Sequence, residues 1–303
     1  MRPIALFLCV LVANAQCLAP SKGKAPCSDK THASHGINLY SRDREIALGK
    51  DLALDLERSA RLIEDPIVCE YVNRIAQTLA WHSDAPFYPV IRIIRSDDPN
   101  SLALPGGLVY IHSGLIRAAS NEAELAVALA HELGHVAARH YTRQASLSDI
   151  LGVATISLAF IGGWPSMLAQ EGMTYAGTPL ILKKFSRGAE TEADRLGIQY
   201  LYEAGYDPTA FVDFMERISL QSQINHGTFA LLMAAHPAVS SRIRAAQRQI
   251  QKELRPRDEY LLQTSEFDII KQRLAAIEGG HFFPRTPAIS PMPVGERPVL
   301  RRH

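Results

Sequence analysis

Two histidines and a glutamate stand together in the run His131-Glu132-Leu133-Gly134-His135. The run lies in a stretch of helical character, Glu122 to Tyr141. Residues four apart share one face of an α-helix, so the two imidazoles can reach a single metal ion. Glu132 then sits one step round the helix, beside the open side of that ion. Metal-assisted hydrolysis needs this set: nitrogen ligands to hold a cation such as Zn2+, and a carboxylate to take a proton from water.

A catalytic zinc takes three protein ligands and leaves a place for water. A third histidine six residues beyond His135 is missing: Ala138 stands where that arrangement needs glycine, and Tyr141 where it needs histidine. His140 lies five residues beyond His135 and, on a continuous helix, turns away from the shared face, which makes it a structural residue. The segment Ser186 to Asp194 offers carboxylates instead. Glu190 and Asp194 are four apart, so one can bind metal while the other braces a ligating histidine. Glu192 points elsewhere, toward solvent. On spacing alone, the same segment reads equally well as the charged start of a helix.

The elements around these residues follow from periodicity and punctuation. Apolar positions from Ile46 to Ile63 predict a helix over 45–63, and Asp65-Pro66 starts a second one, to about Trp81, with Pro66 in its first turn. Tyr88 to Arg95 and Leu108 to Ile111 read as strands, separated by turn formers from Asp97 to Gly107. Asn121 is the expected N-cap of the histidine-bearing helix, with Glu124 completing a capping box, and the helix is expected to run to about Ala145. Further helices are expected over 186–204, 208–222, 237–254 and 265–278.

The whole chain sets limits on function. Its 303 residues are 47% apolar and 21% charged, with a net charge of +1. That balance argues against a dedicated nucleic-acid surface. Arg2, the apolar run Ile4 to Val12 and the small-x-small triplet Ala13-Asn14-Ala15 predict a signal peptide over 1–15, cut after Ala15. The run is far below the ~20 residues of a membrane span, and so is the later segment Ile150 to Trp164. Asn14, Ala15 and Gln16 before Cys17 do not favour lipidation. The expected product is exported to the periplasm without a transmembrane span. Residues 16–40 read as a flexible leader, 41–278 as one folded domain and 279–303 as a Pro-rich disordered tail. In an oxidising compartment Cys17 and Cys27 can pair, leaving Cys69 as a buried thiol. Gly162 to Pro179 is a candidate mobile loop, and 150–179 a candidate lid over a cleft or a contact with a membrane or partner, with its apolar run reading equally as part of the core.

These residues together carry a family resemblance. His131 to His140 (HELGHVAARH), followed by Ser186-Arg187-x-x-Glu190-x-x-Ala193-Asp194, resembles the M48 zinc peptidases. Asn100-Ser101-Leu102-Ala103-Leu104-Pro105-Gly106-Gly107 resembles that family's N-A-F-A-x-P-G-G segment, and His236-Pro237-x-x-x-x-Arg242 its downstream H-P-x-x-x-x-R segment. The four segments come in the family's order, over roughly residues 43–250. The resemblance implies an α+β fold, mainly helical and zincin-like, with a small β-sheet. It implies one Zn2+ per chain, with His131, His135 and Glu190 as ligands and Asp194 supporting the histidines. It places His236 near the metal, either steadying an oxyanion or capping the ion at rest, and gives Arg242 a role in placing His236 or binding substrate backbone. Ser101, Leu102 and Ala235 depart from the usual Ala, Phe and Ser or Thr, changes expected to touch packing and tuning. Among the branches, the signal peptide and the lack of spans are most similar to the periplasmic branch that enhances β-barrel assembly; its tetratricopeptide array has no counterpart in these 303 residues.

The expectation that follows is an exported zinc endopeptidase that cleaves unfolded or misassembled envelope proteins, with Glu132 as general base. Polypeptides are the expected substrates and the outer-membrane assembly machinery a candidate partner. Leu108 to Ile111 is read as an edge strand to which a substrate peptide could add, with an interior strand of the sheet as the alternative. The competing expectation is a chaperone-like assembly factor of the outer membrane that binds peptides and cleaves rarely. An intact Glu132 favours the enzyme, since a binding module has no use for a general base.

Overall fold

The histidine-bearing helix is buried along its entire length, which explains its unusual composition. Glu122–Ala137 is rich in alanine and leucine on all sides rather than on one face, and each of its residues is buried. A helix apolar all round belongs in the middle of a domain. The computed structural model describes residues 33, 36–149, 185–224, 236 and 239–279.

In chain order the elements are α1 (Arg42–Ser59), β1 (Leu62–Ile63), α2 (Pro66–Trp81), β2 (Val90–Ile94), β3 (Ser101–Ala103), a 3-10 turn (Pro105–Gly107), β4 (Leu108–His112), α3 (Ser113–Ala118) and α4 (Glu122–Ala137). After these come α5 (140–149), α6 (Arg187–Glu203), α7 (Ala210–Ile224), α8 (Val239–Glu253) and α9 (Glu266–Ile277). The fold is α+β: helices around one small mixed sheet of order β1-β2-β4-β3. β2 and β4 run parallel, Val90 beside Leu108 and Ile94 beside His112, and the flanking pairs are antiparallel. The main core lies between the sheet, α2, α4, α6, α7 and α9, through residues such as Val72, Ile93, Leu129, Leu201, Phe211 and Phe267.

Besides the helix expected over 45–63, which ends at Ser59 before strand β1, three expectations change. First, β4 is an interior strand, hydrogen-bonded to β2 on one side and β3 on the other, so the edge reading of Leu108 to Ile111 does not hold. The edge strand on that side of the sheet is β3, hidden in the sequence by turn formers on both sides. Second, α4 stops at Ala137 rather than Ala145. Arg139 takes a left-handed φ of 52°, and its guanidinium is tied to Glu45 Oε2 at 2.5 Å and the Tyr40 carbonyl at 2.7 Å. The chain breaks there and α5 leaves in a new direction. Third, the α4 cap is split. Asn121 Oδ1 accepts from Glu124 N at 2.9 Å as expected, but the Glu124 carboxylate reaches past the cap to Ser120 N at 2.6 Å.

α4 and α6 pack backbone against backbone. A Cβ on Gly134 of α4 would fall 2.5 Å from the Ala193 carbonyl oxygen, and one on Gly197 of α6 would lie 3.1 Å from the Ala130 carbonyl group. These two glycines let the helix carrying His131 and His135 approach the helix carrying Glu190 and Asp194. Cys69 is buried, its Sγ 3.2 Å from the Ile63 carbonyl oxygen. Among the described residues, no helix is long and apolar enough to cross a membrane. The signal peptide over 1–15, most of the 16–40 leader, Cys17 and Cys27, the 150–179 segment and all but the first residue of the 279–303 tail lie outside the described residues.

Candidate metal centre

The i,i+4 spacing on α4 brings the two ring nitrogens His131 Nε2 and His135 Nε2 to 3.1 Å of each other. α6 supplies Glu190 from its first turn, with Oε2 3.6 Å from His131 Nε2 and Oε1 3.6 Å from His135 Nε2. Ser186 caps that turn through its side chain and so sets where Glu190 begins. His236 adds its Nδ1, 3.1 Å from His131 Nε2 and 3.0 Å from Glu190 Oε2. All four residues are buried, and their donor atoms lie within 4.8 Å of one another.

These residues fit a tetrahedral cation. Ligand bonds of about 2.0–2.1 Å give a tetrahedron with edges of about 3.3 Å. The separations above, 3.0 to 3.6 Å, are of that size. The donor chemistry agrees. His131 Nδ1 lies 2.8 Å from Asp194 Oδ1, and His135 Nδ1 lies 2.9 Å from His140 Nδ1. With the protons of neutral rings engaged there, two lone pairs face each other at short range, an unfavourable pairing that a cation between them reverses.

Asp194 is in turn held by Arg242, whose Nε donates to Oδ2 and whose terminal nitrogen donates to Oδ1, both at 2.6 Å. The same guanidinium donates to the His236 carbonyl at 3.1 Å and lies 3.2 Å from Glu190 Oε2. Arg242 thus ties α8, the α6 carboxylates and His236 into one cluster. Beside it, Glu132 is buried, 3.7 Å from His236 Nε2, and its Oε1 accepts a hydrogen bond from Ser101 Oγ at 2.8 Å. Ser101, whose departure from the family pattern was expected to touch packing and tuning, therefore contacts the Glu132 carboxylate directly.

The electrostatics match this arrangement. Burial drives the His135 pKa well below its ordinary value, with repulsion from His131 and His140 in the same direction, so the ring is neutral and able to ligate. Burial opposes ionisation of Asp194, but the hydrogen bonds and charge of Arg242 outweigh it and hold the carboxyl below its usual range. Burial likewise works against the Glu190 anion and the His236 cation, yet their mutual hydrogen bond and charges lower the first pKa and raise the second. Burial also lowers His140, despite the opposing pull of Glu192.

The structure brings His131, Glu132, His135, Glu190, Asp194, His236 and Arg242 together. It corrects two readings. His140 does not turn away: the break at Arg139 swings its ring against His135. Glu192 is not solvated: its Oε2 lies 3.2 Å from His140 Nε2, in a largely buried position. Phe185, which sequence reasoning passed over, stacks on the His135 ring with centroids 4.2 Å apart. No local pattern marks these contacts, because each depends on where α5 and α6 meet. A pocket of about 40 Å³ adjoins the site. Leu115, Val127, Phe211, Met215 and Ile218 give it apolar walls, and it shares Ser101, His131 and His236 with the cluster.

The sequence pattern of peptidase family M48 matches residues 66–250, a span that includes every residue of the cluster. The chain belongs to peptidase family M48. It is 34% identical over 247 residues to the "Beta-barrel assembly-enhancing protease" of Escherichia coli strain K12, covering 78% of this chain and 49% of that protein. The protein of the same name from Yersinia pestis is 33% identical, over 76% of this chain and 49% of its own length. The "Mitochondrial metalloendopeptidase OMA1" of Schizosaccharomyces pombe is 33% identical over 160 residues, 51% of this chain and 44% of that one. The chain spans about half the length of the curated relatives it matches. Within this M48 chain, the donor cluster is built wholly from α4, α6 and the residue His236, and Arg242 of α8 braces it.

Proposed function

We propose that this M48 chain is an exported zinc-dependent endopeptidase. The observation that carries the reading is the convergence of His131, His135 and Glu190 from two helices, with the carboxylate of Glu132 beside them. In this reading the three residues hold one Zn2+ per chain. The ion, when bound, supplies the Lewis acidity that polarises a carbonyl and makes water a nucleophile near neutral pH. Glu132 takes the proton of the attacking water and delivers it to the leaving amine. The Ser101 hydroxyl, donating to Oε1, holds that carboxylate in one orientation. Asp194 keeps the His131 proton on Nδ1, and Arg242 keeps Asp194 ionised.

His236 has two parts in this scheme. Its Nδ1 at the fourth corner supports a resting arrangement in which it caps the site. Displaced from that corner, a ring beside the cluster can donate to the oxyanion. The edge strand β3, next to Glu132 through Ser101, is the surface on which an extended substrate adds, with backbone hydrogen bonds that tolerate sequence. The apolar pocket receives one apolar side chain next to the scissile bond. Extended, apolar segments are what unfolded or misassembled exported proteins expose. The names of the bacterial relatives support a link to β-barrel assembly; in this reading envelope proteins are the substrates and the outer-membrane assembly machinery a partner. In this reading the chain works in the periplasm, reached through the signal peptide over 1–15.

The test compares wild type with Glu132→Gln at equal zinc content on an unfolded protein substrate. The expected loss in rate is at least ~100-fold. Equal rates would refute the mechanism. One observation favours the second reading, a chaperone-like factor that cleaves rarely: His236 occupies the corner that water needs. Loss of cleavage in Glu132→Gln with assembly function intact in cells would make that the main role.

A further inference from the structure

The two histidines of α4 are braced in different ways. His131 Nδ1 meets the carboxylate of Asp194, but His135 Nδ1 meets another imidazole, His140, at 2.9 Å. The proton positions of that second chain follow from the atoms on the page. His135 Nε2 faces His131 Nε2 at 3.1 Å and Glu190 at 3.6 Å, so its lone pair is the one turned into the donor cluster. A neutral imidazole that offers Nε2 carries its proton on Nδ1. The bond to His140 therefore needs a lone pair on His140 Nδ1. His140 then carries its own proton on Nε2, which lies 3.2 Å from the Glu192 carboxylate. One assignment satisfies all four nitrogens. The reverse one turns a proton of His135 into the cluster.

We propose that His140 is the positioning residue of His135: held by Glu192, it keeps the His135 proton on Nδ1 and the Nε2 lone pair directed at the metal. The break at Arg139 makes this possible. Five residues along an unbroken helix would put His140 about 140° round from His135, whereas the left-handed turn at Arg139 brings the ring centroids to 5.0 Å. Phe185 stacks on the face of His135 and limits tilting, which leaves rotation within the ring plane to His140. A neutral imidazole is a weaker acceptor than a carboxylate, so the two ligands are unequal. His135 is the less basic, and its geometry depends more on its neighbour.

This inference rests on the metal-site reading and is tested separately from it. The full chain is loaded with Zn2+, and its affinity is read by competition with a chromogenic chelator for wild type, His140→Leu and His140→Asn. In parallel, long-range 15N–1H NMR of the imidazoles reads the tautomer of His135. The leucine removes the acceptor. The asparagine keeps an oxygen close to where Nδ1 stood. The expected result is zinc affinity about 10- to 100-fold weaker in His140→Leu, with recovery of most of that loss in His140→Asn and an Nδ1–H tautomer in wild type. Affinity unchanged in His140→Leu, or equally weak in both folded variants, would overturn the proposal. Wild type that binds no zinc would instead overturn the metal-site reading. If His140→Leu does not fold, Glu192→Ala decides: weakening of about threefold or more supports the relay, and unchanged affinity overturns it.

Discussion

Replacing Gly134 with alanine isolates the helix contact on which the site depends. The added Cβ would sit 2.5 Å from the Ala193 carbonyl oxygen and 2.9 Å from the Ala193 Cα. Both are backbone atoms of α6, so no flexible side chain can swing away. Relief to an ordinary contact of 3.4 Å requires α4 and α6 to separate by about 0.9 Å. Overpacking of this kind costs about 1–3 kcal/mol, and the better helix propensity of alanine returns up to about 1 kcal/mol. The net loss is up to about 2 kcal/mol, or up to roughly 8 °C in Tm for a domain of this size. The consequence for the site is larger. His131 and His135 ride on one helix and Glu190 on the other, and metal–ligand distances tolerate only about 0.2 Å. Zinc affinity is expected to fall tenfold or more, at least about 1.4 kcal/mol. Gly188→Ala is the control, because a Cβ there meets only Ser186 Oγ at 3.8 Å. Thermal unfolding and chelator competition read both effects. Wild-type Tm and zinc affinity in Gly134→Ala would refute the claim that this contact sets the site.

Two other outcomes follow from the structure, beside those expected for Glu132→Gln and for the His140 variants. Ala128 also lines the apolar pocket. Ala128→Leu should lower kcat/KM about tenfold for peptides with a large apolar residue beside the cleaved bond and leave small-residue peptides unaffected; a uniform change would show that the pocket takes no side chain. Asp65 caps α2 and pairs with Arg273 of α9 through two contacts of 2.7 Å, and the hydrogen bond from Arg273 holds its pKa below the ordinary value. A depressed folded-state pKa contributes stability above the unfolded value, about 3.9, and loses it as pH falls through the folded one. Arg273→Gln should therefore be less stable than wild type at pH 7, and the gap should narrow as pH falls below about 3.9 in denaturant titrations; a gap constant with pH would remove Asp65 as the cause.

The sequence by itself determined the parts of the protein that rest on short-range geometry. The i,i+4 spacing of His131 and His135, Glu132 between them, the cap at Asn121, the helix start at Asp65-Pro66 and the order of the helices are all local consequences of backbone period and side-chain type. The family resemblance added Glu190, Asp194, His236 and Arg242, and the structure brings these four to the same cluster. Only the tertiary structure decided what depends on how separate elements meet. The edge role of β3 depends on strand order, which three residues among turn formers do not encode. The contact of Ser101 with Glu132 spans 31 positions, and that of His140 with Glu192 spans 52. The turn of His140 toward His135 depends on a left-handed residue at Arg139, which Glu45, 94 positions away, helps to anchor. The closeness of α4 and α6 depends on glycines that look incidental until both helices are in place. Local periodicity pairs the candidate ligands; backbone contacts between distant segments decide which neighbours aim them.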